Sequence, residues 1–341
     1  MTPPRRARRA TDRTASLLRL FRLLAARVLG ALFVVWAAVT AAFWAVAAVP
    51  GDPVEVMLGP LAGVSAAGKD RLRSELGLDR PLLERYGDTL ASLARGDLGE
   101  SYQLRQPVAE ALGGAFPPTA RLAVLALGIA LALVLIGALL GRGRLGAGLV
   151  GTAEVLAVVL PSFWVGFLLI TVFSFWLGWF PATGSRTAAS QILPAVTLAI
   201  PVAGVLGQAV RAELADVAAS PFALSAAARG LGPSGLLARH GLRHAAVPAS
   251  TLIAYVAGGL LGGAILVETV FSRPGLGSLT LTAILNRDMP VILGLVAVSA
   301  ALFALLGVLA DLGVWLADPR TRRAAAPPRP QGQAETGAAR A

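Results

Sequence analysis

Six apolar segments, near residues 28–49, 122–140, 152–177, 192–210, 249–270 and 291–309, constrain this chain more than any other feature. Each has roughly the 20 residues that an α-helix needs to cross a bilayer at about 1.5 Å per residue. Lipid offers an exposed backbone no hydrogen bonds, so such spans fold as helices that satisfy their own polar groups. The pattern predicts an all-α polytopic membrane protein with six transmembrane helices. The third segment is the least regular, because apolar sequence runs from 147 to 180 with Glu154 and Pro161 inside it. That is too long for one straight span and too short for two spans and a turn, and it reads as one span with interfacial ends.

Composition agrees with the spans. Hydrophobic residues make up 56% of the chain and charged ones 14%, against about 25% charged in a soluble domain. With no cysteine, disulfides and thiolate metal sites are excluded. A net charge of +11 would suggest nucleic acid in a soluble protein. Here the basic residues, all arginine except Lys69, lie in short segments between spans, where they set topology instead. The surroundings implied are membrane lipid, with no nucleic acid partner.

Arg5, Arg6, Arg8, Arg9, Arg13, Arg19, Arg22 and Arg27 place the N-terminal segment in the cytoplasm. Six spans then bring Arg142, Arg144, the loop 211–248 and the arginines of 320–323 to the same side, with both termini cytoplasmic. Splitting the third segment in two would put Arg229, Arg239 and Arg243 outside. The expected organisation is a basic segment 1–27, a first transmembrane helix 28–49 and an extracytoplasmic cap 50–118. A core of five further spans follows over 119–317, and a disordered tail over 318–341. Ala45-Val46-Ala47 imitates a signal-peptide cleavage site, but the apolar run before it exceeds the 7–15 residues typical of such peptides. Within the cap, helix-like stretches at 65–76 and 81–94 are separated by Gly77-Leu78-Asp79-Arg80-Pro81.

The loop 211–248 is the most informative connection. Ser220 is a good N-cap, Pro221 suits the first helical position, and a short helix 222–229 would stop at Gly230. Gly232 and Pro233 prevent continuation. Ser234 then starts a second helix that carries Arg239, His240, Arg243 and His244 and ends at Pro248. The result is a compact protrusion of two short helices.

Gly230 followed eighteen residues later by Pro248 resembles the signature cytoplasmic loop of ABC importer permeases. Ordered matches along nearly the whole chain resemble the dipeptide/oligopeptide/nickel branch of that family. They are Pro50-Gly51-Asp52-Pro53, Glu75-Leu76-Gly77-Leu78-Asp79-Arg80-Pro81, Arg95-Gly96-Asp97-Leu98-Gly99, Leu160-Pro161-Ser162-Phe163-Trp164, Leu177-Gly178-Trp179-Phe180-Pro181 and the run from Val267-Glu268-Thr269 to Gly275-Leu276-Gly277. The resemblance implies a permease subunit in the inner membrane of a prokaryote, working by alternating access, with peptide the commonest cargo in such families and nickel chelate or another small solute the alternatives. It implies two ATP-binding-cassette ATPase subunits, a second homologous permease and an extracytoplasmic substrate-binding protein as partners, and no cofactor. It also implies ATPase coupling through Ser220, Pro221, Phe222, Ala226, Ala227, Arg229, Gly230, Leu231, Gly232, Arg239, Arg243 and Pro248. Leu224 and Ala227 stand where relatives often carry basic residues.

No other pattern points to catalysis. Gly63 to Lys69 imitates a phosphate-binding loop, but Asp70 follows where a metal-coordinating hydroxyl is needed, and no strand precedes it. His240 and His244 share a helix face, yet lack the further ligands of a closed zinc site. Glu268, an acid near the end of a span, is either a functional group facing a cavity or the acceptor that shapes the turn after it. Gly258, Gly259, Gly262 and Gly263 form overlapping GxxxG patterns suited to close helix packing or to lining a path. With Pro161, Phe163, Trp164 and Glu268 they form the candidate translocation path or gate. Glu154, Gln208 and Asp311 read as interfacial or packing residues. A secondary transporter would need intramembrane ion ligands that are scarce here, and a passive scaffold leaves the ordered motifs unexplained.

Overall fold

The computed structural model describes residues 5–58, 65–141, 143–229, 252, 256, 258–260 and 262–317. Among them the structure is helical, with a single isolated β-bridge between Glu100 and Pro107. Four helices are long and apolar enough to cross a membrane: α1 (Arg5–Ala48), α5 (Val108–Leu140), α8 (Ala189–Ala219) and α12 (Met289–Ala317). A bent pair, α6 (Arg144–Val159) and α7 (Ser162–Leu169) with its π-helical extension Ile170–Trp176, makes a fifth if taken as one span. The segment expected as a further span is described as a helix, α10, over Gly258–Val270, and its earlier part lies outside the described residues.

The third apolar segment is where the structure departs most from a straight span. Its two halves meet at 107°. Pro161 supplies the cause, since its ring disfavours helical backbone in the residue before it, and Leu160 is extended at ψ 130°. The prolines inside α5 (Pro117, Pro118) and α8 (Pro194, Pro201) leave those helices continuous, as buried membrane helices allow. The α5 helix also begins well before residue 122, so the last part of the expected cap is its first three turns.

The α8 helix is the centre of the core. In its most apolar window 56% of residues are buried, against 11% in that of α1, whose Leu29, Leu32 and Phe33 are left to lipid. Leu122, Ala126 and Ala130 of α5 pack on Leu198, Val202 and Leu206 of α8, and Leu260 and Val267 of α10 close the cluster. A second body joins the ends of the chain. Val39 and Phe43 of α1 pack on Met289, Leu293 and Ala297 of α12.

The described residues 50–58 and 65–107 sit over that second body. They hold α2 (Pro53–Leu58), α3 (Ala66–Glu75) and α4 (Leu82–Ala94), the last two close to the expected stretches. Ser65 caps α3 by accepting from the Gly68 N–H at 3.3 Å. Tyr86 of α4 shares a 2.8 Å hydrogen bond with Thr40 of α1 and stacks on Phe43 at 5.3 Å between centroids. From the other side come Arg287 and Asp288, between α11 (Leu276–Leu285) and α12. Arg287 donates to the Pro50 and Gly51 carbonyls at 2.5 and 2.8 Å. The buried Asp288 carboxylate accepts from the Ser101 hydroxyl at 2.5 Å and from the N–H groups of Tyr102 and Gln103 at 3.3 and 3.2 Å. The motif Pro50-Gly51-Asp52-Pro53 is thus held from both sides, because Asp52 also pairs with Arg73 of α3.

Candidate functional site

The turn after α10 is built around Glu268, which is 1% exposed. Its Oε1 accepts from the Thr119 hydroxyl of α5 at 2.6 Å, and its Oε2 from the Ser278 N–H in the first turn of α11 at 3.0 Å. Thr119 Oγ1 in turn accepts from the Leu276 N–H at 2.8 Å. One carboxylate and one hydroxyl therefore satisfy the amino end of α11, where unpaired N–H groups attract an anion. Gly275 makes room, since a Cβ there would overlap the Glu268 carboxylate, and Gly277 lies against the Ile265 backbone. Of the two roles open to Glu268, its contacts are those of the acceptor that shapes the turn.

Arg273, in the same turn and 4% exposed, donates to the carbonyls of Gly184 and Ser190 at 3.2 and 3.0 Å. Burial lowers its pKa, and the charge of Glu268 opposes the shift. Arg273 thereby ties the connection after the π-helical extension to the start of α8. Thr119, Arg273, Arg287 and Asp288 were not singled out by sequence reasoning. The signal that could have found Arg273 and Asp288 is a charged residue beside turn residues in an apolar region.

The glycines of α10 divide into two pairs. Gly258 lies against the Phe303 ring of α12, and Gly263 against Leu198 of α8. Among the described residues, nothing lies within 4 Å of a Cβ at Gly259 or Gly262. Pro161 forms the bend, while Phe163 and Trp164 are exposed at 44% and 46%. Gly166, one turn on, packs against Phe271, Val270 and Thr197 and docks α7 on α8 and the end of α10. The glycines and Glu268 therefore share α10, while the bend lies between α6 and α7.

At the other end, α8 runs to Ala219 and passes through Ser220 into α9 (Pro221–Ala228). Ser220 Oγ donates to the Val217 carbonyl at 2.7 Å and accepts from the Ala223 N–H at 3.4 Å, in the capping position. Arg229 follows, exposed. Gly230, Leu231, Gly232, Arg239, His240, Arg243, His244 and Pro248 lie outside the described residues, as do Gly63 and the tail from 318, and the side chains of Phe222, Ala226, Ala227 and Asp311 are outside them too. Lys69 sits in α3 and pairs with Glu55 at 3.2 Å. Among the described residues, no three of the metal-ligating types converge.

Residues 133–323, more than half the chain, match the model of the binding-protein-dependent transport system inner membrane component. The chain belongs to that family. This permease is similar to a putative peptide transport system permease protein of Brucella abortus (strain 2308), with 36% identity over 80% of the chain and 90% of the relative. It is 35% identical to the glutathione transport system permease protein of Escherichia coli (strain K12), over 77% of the chain and 86% of the relative. It is therefore an ABC importer permease, a multi-pass inner-membrane transport component and not an enzyme. The matched region takes in α6 to α12, with the bend, the Ser220-capped helix and the Glu268 turn.

Proposed function

We propose that this permease forms half of a peptide-translocating pore, paired with a second, homologous permease, driven by two ATPase subunits and fed by an extracytoplasmic binding protein. The observation that carries the reading is the one-residue junction between the buried α8 and α9, made by Ser220, which ends α8 in extended backbone and caps α9. A short helix joined through a single capping residue to the most buried helix is suited to receive a push from an ATPase and deliver it to the core. In this reading both termini and α9 are cytoplasmic, residues 50–107 face outward as the landing site of the binding protein, and the loop to Pro248 completes the coupling surface. The bend at Pro161, the exposed Phe163 and Trp164, and the open side of Gly259 and Gly262 face the second permease and the path between them. Peptides are the favoured cargo because the relatives bear peptide and glutathione names.

The test is affinity purification of the permease from its native cells in mild detergent, with the co-purifying proteins identified. Recovery of an ATPase pair and a second permease supports the reading, and the recovered binding protein, loaded with peptide or nickel chelate, decides the cargo. Reproducible recovery of the chain alone overturns it. An insertion within residues 222–232 should abolish ATPase association and leave membrane insertion intact.

A further inference from the structure

A charge pair sits where α6 crosses α8, and none of the roles above uses it. Glu154 of α6 (side chain 12% exposed) meets Arg211 of α8 (38% exposed), with Oε2 facing Nη2 as an ion pair that lacks an aligned hydrogen bond. Arg211 Nη1 also reaches the Ala147 carbonyl at 3.4 Å, so its guanidinium spans two turns of α6. Gln208, one turn before Arg211, reaches the Glu154 carbonyl at 3.4 Å.

The helices are cut to hold this pair. A Cβ at Gly151 would overlap the guanidinium, and one at Gly207 would come within 2.6 Å of Glu154 Oε1. At Gly204 it would come within 2.7 Å of the Glu154 carbonyl oxygen. Three glycines thus open the space that a carboxylate, a guanidinium and a close backbone approach require. A cavity of about 280 Å³ adjoins the pair, lined by Val134, Val150, Val210 and Leu214 beside the two charges. A charge in such surroundings is costly once its partner leaves, so α6 and α8 cannot shift by a turn against each other without a large penalty.

The position of the pair gives it a use. Arg211 lies ten residues before Pro221, on the helix that Ser220 joins to α9, and Glu154 lies seven residues before Pro161 at the 107° bend. We propose that Glu154 and Arg211 are positioning residues, forming the joint through which displacement of α9 is passed from α8 to α6 and so to the bend. The proposal rests on the reading of α9 as the helix that meets the ATPase.

The complete importer, reconstituted in proteoliposomes with its ATPases, second permease and binding protein, supplies the test through peptide uptake per ATP hydrolysed. Glu154→Gln and Arg211→Gln should keep ATPase association and lower that ratio by about tenfold. The reversed pair E154R/R211E should recover most of it. An unchanged ratio in both single variants overturns the joint. A pair that only stabilises the fold would lower protein yield and leave the ratio alone.

Because the chain has no cysteine, E154C/R211C can be bridged by a short thiol cross-linker without background. A bridged protein that still couples uptake to hydrolysis agrees with a joint that stays closed. Arrest on bridging overturns it, since the helices would then have to part. ATPase co-purification after insertion into α9 tests docking separately. Retained association there removes the docking reading, whereas an unchanged ratio with docking intact removes only the joint.

Discussion

Thr119 of α5 donates a 2.6 Å hydrogen bond to Glu268 of α10, and both side chains are only 1% exposed. The hydroxyl is also the acceptor for the Leu276 N–H. Thr119→Val keeps the shape, removes the hydroxyl and leaves a buried N–H and a carboxylate oxygen unpaired. The expected cost is about 1–3 kcal/mol, with Thr119→Ser close to the parent. Thermal unfolding in detergent followed by size exclusion reads it. A Thr119→Val protein that melts like the parent would show that these bonds add nothing to stability.

Gly275 and Glu268 act on the same network from opposite sides. Gly275→Ala drives a methyl into the carboxylate, and Glu268→Ala deletes the acceptor of the Ser278 N–H. Each should destabilise, and the double variant should lose less than the sum by about 0.5–3 kcal/mol. Additive losses in the double-mutant cycle would mean that the two residues act independently.

Asp288 is expected to control the loop around Ser101 without affecting the α1–α12 packing. Asp288→Ala removes the acceptor of three donors at residues 101–103 and should weaken the loop locally by about 1–3 kcal/mol. Trypsin should then cleave faster at Arg95 or Arg105, while the melting temperature of the membrane helices changes little. Equal cleavage rates would place the loop's stability in its turn geometry instead.

The glycines separate internal packing from assembly. Gly204→Ala must push back the Glu154 backbone and should cost about 1–3 kcal/mol in the isolated permease. Gly259→Ala and Gly262→Ala meet open space and should be neutral or slightly stabilising there, by up to about 1 kcal/mol. If their open side faces the second permease, the same two variants should weaken the assembled complex. Pull-down of the partner permease alongside melting of the isolated chain distinguishes the two effects.

Four of the expected spans, the Ser220 cap and the two helices of residues 65–94 were legible from the chain alone. Each rests on a run of apolar residues, a capping hydroxyl or a proline acting within a few positions. The third segment, read as one span with interfacial ends, is instead broken by the local sterics of Pro161 on Leu160, and its 107° angle depends on how α7 docks through Gly166.

What the sequence determined by itself was the class of molecule, an all-helical polytopic membrane protein, because apolar length and arginine placement are read directly by the bilayer. Which helix meets which was decided only in three dimensions. Lipid tails are as apolar as leucine, so hydrophobicity does not choose between neighbours inside a membrane. Small residues and matched polar groups choose instead, and their partners lie far apart in the chain. Thr119 reaches Glu268, Glu154 reaches Arg211, and Arg287 reaches Pro50 only once the first helix has packed against the last.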